Sequence, residues 1–300
     1  MTNATPFRAG FAAIIGRANV GKSTLLNAML GQKLAIVSPK PHTTRHKVLG
    51  VLNGQGFQAA LLDTPGFLRR GRDQLDAAMS RQLASALAEA DLALLVVEPR
   101  RPGDVERDFM RQLALTRTPT VLVINKVDTV SKKRLLPIIQ GYAEAHKFQE
   151  VVPVSAVERD GVELLLEQIA AHLPEGEAVF PPEVLTDRPV RFLCAEIIRE
   201  KVFLLFAEEV PYAVTVEVDA YEEREDQRPD MIAATVYVDS PSQKQMLIGK
   251  AGAALKEVGT QARVEIEELV GKHVYVELWV KVNQKWRRKA GFVQAQGYGL

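Results

Sequence analysis

Between residues 7 and 173, short apolar runs alternate with segments whose apolar positions recur at helical spacing, the pattern of a parallel sheet wrapped by helices. The runs predict strands over 10–15, 47–53, 57–63, 92–97, 120–125 and 151–154. Gly54-Gln55-Gly56 separates the second from the third as a hairpin-type connection, so one strand is expected to run antiparallel. The fold class is therefore α/β, with a mixed, mostly parallel six-stranded sheet.

The periodicity lapses between Leu173 and Pro189, where LPEGEAVFPPEVLTDRP carries prolines that regular structure does not tolerate. This predicts a first domain over 1–175, a linker over 176–189 and a second domain over 190–300. The second reads as α+β. A helix over 190–206 leads to strands over 213–220 and 231–239, then two helices around Gly249, the later one over 253–270, and a last strand over 273–281. The acidic stretch 219–230 between the strands reads as a solvated loop.

A chain of 300 residues exceeds the size at which one core usually keeps growing, in keeping with two domains. Lys and Arg number 38 against 37 Asp and Glu, so the overall charge gives no sign of a nucleic-acid partner and any such signal must be local. It is local: from residue 231 onward there are 10 basic side chains against 6 acidic ones. Cys194 is the only cysteine, which rules out an intrachain disulfide. Its neighbours Phe192, Leu193 and Ala195 favour a small buried side chain over a nucleophile. MTNATPFRAG lacks the marks of a signal peptide, and no apolar run is long enough to span a bilayer, so a cytoplasmic location is expected.

Gly16-Arg17-Ala18-Asn19-Val20-Gly21-Lys22-Ser23, with Thr24 behind it, has the spacing of a phosphate-binding loop between a strand and a helix. Glycines let the backbone wrap phosphates with N–H groups pointing inward at the positive end of the helix. Lys22 is placed to pair with β- and γ-phosphates, and Ser23 to offer its hydroxyl to Mg²⁺. Asp63-Thr64-Pro65-Gly66 ends the third strand, where the carboxylate can hold Mg²⁺ through water and the Gly66 N–H can reach the γ-phosphate. That short pattern is weak alone, since it arises about once per chain of this length by chance.

Asn125-Lys126-Val127-Asp128 decides the base. The Asp128 carboxylate can accept from N1–H and the exocyclic amine of guanine, whereas the unprotonated N1 of adenine would face it with a lone pair. Asn125 is expected to tether neighbouring loops, the stem of Lys126 to cover the base, and Ser155-Ala156 to supply a backbone N–H to the guanine oxygen. Three such segments in order, each after a strand, point to a GTPase.

Ser38 to Arg45 occupies the place of a mobile switch, with Thr44 the first choice and Thr43 the second for a hydroxyl that senses the γ-phosphate through Mg²⁺. Phe67 stands where Ras-like enzymes carry a water-orienting glutamine, and a phenyl ring cannot do that work. The Asn19 amide oxygen could instead hold a monovalent cation beside the phosphates, which makes potassium-stimulated hydrolysis an expectation.

In the second domain Gly249-Lys250-Ala251-Gly252 lies between two helices and can expose N–H groups to phosphates beside an aliphatic groove that receives single-stranded bases. Lys244, Ile248, Lys256 and Arg263 flank it as further candidate RNA contacts. A bare Gly-x-x-Gly is also an ordinary helix-to-helix turn, so the domain order carries more weight.

GRANVGKS, TTRH, DTPGF, NKVD and VSA, followed by RPVRFLCAEIIREK, VPY, QKQMLIGKAGAALKEVGTQAR and VELWVKV, resemble the Era family of bacterial GTPases over nearly the whole chain. The resemblance implies a GTPase domain followed by a type II KH domain, with GTP or GDP and Mg²⁺ as cofactors. It further implies binding to the 3′ end of small-subunit (16S) ribosomal RNA, a part in maturing the small ribosomal subunit, and peripheral association with the inner membrane face; separately from the resemblance, a monomer is expected. On it, Gly249 to Gly252 would clamp the RNA backbone. Ala251 and Ala253 depart from the family's glycine-rich loop, His42 replaces a more usual glutamine, and RRKAGFVQAQGYGL drifts from its pattern. Two other classes stay open on the residues alone: an RNA-modifying enzyme, and a signalling or membrane GTPase with a protein-binding tail.

Overall fold

The computed structural model describes residues 6–66, 73–224 and 228–298. It divides into two compact units, 1–72 with 76–187 and 188–300 with 73–75. Strands of the first unit are β1 (Arg8–Ile15), β2 (Val48–Gly54), β3 (Phe57–Asp63), β4 (Leu92–Val97), β5 (Thr120–Ile124) and β6 (Glu150–Pro153). Its helices are α1 (Lys22–Leu30), α2 (Gln74–Glu89), α3 (Asp104–Thr116), α4 (Leu135–Ala143) and α5 (Val162–His172). The order across the sheet is β2-β3-β1-β4-β5-β6, with β2 antiparallel to β3 and all other pairs parallel. Helices cover both faces, which is why β4 and β5 are continuous apolar runs with every residue buried.

The register aligns the carboxyl ends of the strands. Ile14 lies beside Asp63 and Leu94, and Val97 beside Ile124. Every loop that follows β1, β3, β4 or β5 therefore opens at the same end of the sheet, where open α/β folds bind ligands.

Residues 176–187, expected as a linker, pack on the first unit. The Gln58 side chain accepts from the N–H groups of Val179 and Phe180 at 2.7 and 2.8 Å and donates to the Phe180 carbonyl at 2.8 Å. Val51 N–H donates to the Leu185 carbonyl at 2.7 Å, and the Phe180 ring meets Phe11 edge-on. The prolines exclude helix and strand here, but one buried glutamine inside β3 satisfies the irregular backbone instead.

The second unit runs α6 (Val190–Leu205), α7 (Val210–Ala213), β7 (Thr215–Glu222), β8 (Asp230–Val238), α8 (Pro241–Ile248), α9 (Ala253–Val270), β9 (Val274–Val282) and α10 (Ala290–Ala295). Its sheet has the order β7-β8-β9, antiparallel then parallel. Ser240 caps α8 in a reciprocal pair with Gln243, and Pro241 occupies the first turn, where its missing N–H costs nothing. Ile198, Val202, Ile232, Val236, Leu247, Val258, Ala262 and Val280 close the core between helices and sheet.

Two expectations change. Residue 213 ends a short helix rather than opening a strand, because Pro211 suits the start of a helical turn. β7 continues through the front of the acidic stretch to Glu222, with a bulge between Val218 and Ala220 that turns the acidic side chains out to solvent. The segment after β9 is folded as well. Trp286 is fully buried, donates its indole N–H to the Ala213 carbonyl at 2.7 Å, and stacks on Tyr298 with Phe292 against its edge. Cys194 is buried in this unit's core, and burial pushes its thiol up to about 11. Among the described residues no helix is long and apolar enough to cross a membrane.

Candidate functional site

The first cleft lies at the carboxyl ends of β1 and β3. Ala18, Asn19, Gly21, Lys22, Ser23 and Thr24 line it from the phosphate-binding loop, Ile36 to Ser38 and His42 to Thr44 from the switch segment, and Gly66 from the end of β3. The loop's backbone is wound for this. Gly21 has φ +93°, and an added Cβ would lie 2.3 Å from the Asn125 Nδ2. Gly66 is pressed onto the loop so closely that a Cβ would meet the Ala18 backbone at 2.7 Å. Thr64 is buried and donates to the Ile14 carbonyl at 2.7 Å, pinning this crossing, and Pro65 is buried beside it.

Lys22 turns back into its own loop, donating to the Gly16 carbonyl at 3.2 Å and the Arg17 carbonyl at 2.9 Å. Burial pulls its pKa down to about 8, against the attraction of Asp63. Asp63 is fully buried, and burial pushes it up to about 6 against the pull of Lys22, the Ser23 hydroxyl and the Thr64 N–H. Ser23 Oγ donates to Asp63 Oδ2 at 2.6 Å and lies 2.7 Å from Thr44 Oγ1. Ser23, Thr44 and Asp63 thus converge from three segments, and Asp63 Oδ1 is buried without a hydrogen-bond partner. A hard divalent cation is the group this oxygen set suits.

The two switch threonines separate. Thr43 Oγ1 donates to the Lys40 carbonyl at 2.7 Å and sits 2.6 Å from Ser38 Oγ, so it serves its own loop, while Thr44 reaches Ser23. Asn19 has φ +65° and donates its amide N–H to the Pro39 carbonyl at 2.8 Å, leaving its Oδ1 as the acceptor end. Phe67 lies outside the described residues.

Asn125 ties loops as expected: its Nδ2 donates to the Val20 carbonyl at 2.9 Å and its Oδ1 accepts from Ala156 N–H at 3.0 Å. That second bond corrects one expectation. The Ala156 N–H is engaged by Asn125 and the Ser155 N–H donates to the Asp160 carbonyl at 2.9 Å, so neither is held open for a ligand oxygen in this arrangement. Lys126, in the left-handed region at φ +62°, directs its ammonium to the Asn19 carbonyl at 2.6 Å and to Glu98 Oε1 at 2.7 Å. Asp128 is exposed in the turn that follows. Sequence reasoning missed Glu98 and the buried Glu106, which lies 3.8 Å from the Arg17 guanidinium. Neither belongs to a spaced motif, and only the pairing of β4 with β5 reveals Glu98.

A second groove lies in the second unit between α9 and β9. Gly252, Leu255, Lys256, Gly259, Thr260 and Arg263 form one wall, and Val274, Tyr275, Val276 and Leu278 the other. Gly249 and Gly252 both have positive φ, and Lys250 and Ala251 between them are exposed. Of the expected RNA contacts, Gly252, Lys256 and Arg263 are brought to the groove. Ile248 instead packs partly into the core, and Lys244 is half-buried on α8, because both belong to the helix that holds the turn in place.

A glycine-rich loop after β1, a carboxylate at the end of β3 and an Asn-Lys-x-Asp turn after β5 define a P-loop GTPase, here followed by a KH domain. The family described as 50S ribosome-binding GTPase matches residues 11–126 and the KH domain family matches 209–287. GTPase Era of Geobacter metallireducens is 47% identical over 98% of both chains, and that of Ruminiclostridium cellulolyticum 42% identical over 97% of this chain and 98% of its own. The crystal structure of Era in complex with MgGDPNP and nucleotides 1506–1542 of 16S ribosomal RNA superposes with a TM-score of 0.95, at 38% identity, over 98% of this chain and 100% of that one. A variant of Aquifex aeolicus Era bound to GDP.AlF4⁻ matches with the same TM-score, identity and coverage. The chain belongs to the Era GTPase family. It is a GTPase with a KH domain behind the nucleotide-binding unit.

Proposed function

We propose that this protein binds the 3′ end region of small-subunit ribosomal RNA through its KH groove and assists the maturation and assembly of the small subunit, with GTP hydrolysis as the timer. The observation that supports it most is the full-length likeness to Era captured on nucleotides 1506–1542 of 16S ribosomal RNA. It acts in the cytoplasm as a monomer, with peripheral association at the inner membrane face.

In this reading the loop from Gly16 to Thr24 wraps the triphosphate with its N–H groups and Lys22 leaves its carbonyl partners for the β- and γ-phosphates. Ser23 and Thr44 would give hydroxyl oxygens to Mg²⁺ and Asp63 would hold it through water. The chemistry such an ion would supply there is neutralisation of charge developing on the phosphate oxygens. The Gly66 N–H would face the γ-phosphate, and Asn19 Oδ1 would hold a potassium ion. Asp128 reads guanine, Lys126 covers it, and Asn125 fixes the loops around both. In the KH domain, Gly249 to Gly252 clamp the RNA backbone, while Lys256 and Arg263 meet phosphates along the groove.

Crosslinking RNA to the protein in cells and sequencing it tests the proposal. Reads should pile up near the 3′ terminus of 16S ribosomal RNA; reads scattered over messenger RNA overturn the ribosomal assignment.

A further inference from the structure

We propose that Glu98 is a positioning residue for guanine: it holds the Lys126 ammonium and thereby fixes the lysine stem over the base. The inference rests on the reading of Lys126 and Asp128 as the base site.

Glu98 directly follows β4 and Lys126 follows β5 by two residues, and those strands are parallel neighbours with Val97 beside Ile124. The two residues therefore enter neighbouring loops at the same end of the sheet. The ammonium has three donors and no acceptor. One goes to the Asn19 carbonyl at 2.6 Å and one to Glu98 Oε1 at 2.7 Å. A single carbonyl would leave a four-carbon stem free to swing about that anchor. Two acceptors on opposite loops fix the head, and with it the path of the stem.

Glu98 is itself held. Its Oε2 lies 3.6 Å from Arg100 Nε, Arg100 Nη2 donates to Glu106 Oε1 at 2.9 Å, and Glu106 Oε2 accepts from Gly103 N–H at 3.0 Å. Glu106 Oε1 also lies 3.8 Å from Arg17 of the phosphate-binding loop. Charges alternate in sign from the base turn through the loop after β4 to that loop. The Lys126–Glu98 pair is about one-third exposed on both sides, so its direct contribution to fold stability is small. Its effect falls on binding, because a flexible side chain immobilised beforehand need not be ordered when nucleotide arrives.

The test measures GDP and GTP affinity and steady-state hydrolysis on the full chain for Glu98→Ala, Glu98→Gln, Lys126→Ala, the Glu98→Ala/Lys126→Ala double variant and Asp128→Asn. Glu98→Ala should weaken GDP and GTP alike, by about 2- to 10-fold, and raise KM while leaving kcat at saturating GTP in place. Glu98→Gln should recover part of the loss, since its amide oxygen still accepts from the ammonium. In the Lys126→Ala background, Glu98→Ala should add nothing. Full additivity of the two substitutions, or a fall in kcat with KM unchanged, overturns the role of Glu98. Asp128→Asn checks the base site separately: if guanine binding survives it undiminished, that reading fails whatever the Glu98 cycle shows.

Discussion

Thr43 and Thr44 are adjacent in sequence and both carry the hydroxyl a γ-phosphate sensor needs, yet Thr44 meets Ser23, which in turn donates to Asp63, while Thr43 donates to the Lys40 carbonyl of its own loop. Replacing Thr44 with Ala should lower the hydrolysis rate by at least about tenfold and weaken the dependence on Mg²⁺, while Thr43→Ala stays within a few-fold, read by phosphate release under titrated Mg²⁺. The Asn19 oxygen leads to a second outcome: hydrolysis should run faster in potassium than in sodium at equal ionic strength, and the Asn19→Ala variant should lose the difference. Cys194 gives a third. With its thiol pushed up to about 11, almost no thiolate exists at pH 8, so a thiol reagent should react slowly with native protein and rapidly in denaturant. Because the folded thiol holds its proton more tightly than an exposed one, stability should fall as pH rises from about 9 towards 11. The phosphate loop and the base-reading turn were legible from residue spacing alone. The Ala156 N–H bonded to Asn125 and the Glu98 carboxylate beside Lys126 were not, since each contact joins segments that only the sheet register brings together.

At the scale of elements, apolar runs locate the strands of the first unit to within a residue or two, because most positions of these strands are buried under helices on both faces. Short elements escaped. Four-residue α7 and six-residue α10 span too few turns to show a period, and α10 is held by Trp286 and Tyr237 packing on Phe292 rather than by its own pattern. The stretch 176–187, which reads as a linker, is tied down by β2 and β3 more than a hundred residues earlier, Gln58 holding Val179 and Phe180 and Val51 holding Leu185. Gln58→Ala leaves two backbone N–H groups unpaired and should cost about 1–3 kcal/mol, seen as a lower unfolding midpoint and as faster amide exchange at Val179 and Phe180. A wild-type exchange rate at those two amides would show that the strap is ordered by something else.

For the whole molecule, two compact units with separate cores carry separate candidate sites, a cleft at the carboxyl ends of β1 and β3 in one and the groove between α9 and β9 in the other. Replacing Gly249 and Lys250 together with Asp puts two carboxylates where RNA phosphates would approach and removes a residue with φ +72°. Binding to a short 16S 3′-end RNA should be lost by a factor of at least about a hundred, while GTP affinity stays as it was, measured by electrophoretic shift and by nucleotide titration on the same preparation. Basic residues outnumber acidic ones by 10 to 6 from residue 231 onward even though the whole chain is nearly neutral, so the excess shows only when that last stretch is counted by itself.

The placement of the aromatic clasp has an optical consequence. The sequence contains 2 tryptophans, and both belong to the KH half: Trp286 sealed under Tyr298, and Trp279 58% exposed on β9. Tryptophan emission, excited beyond tyrosine absorption, therefore reports on that half alone, with one emitter in an oily setting and one in water. Scanned together with circular dichroism, whose signal comes from both halves, it allows their melting to be followed as two separate curves without attaching any dye.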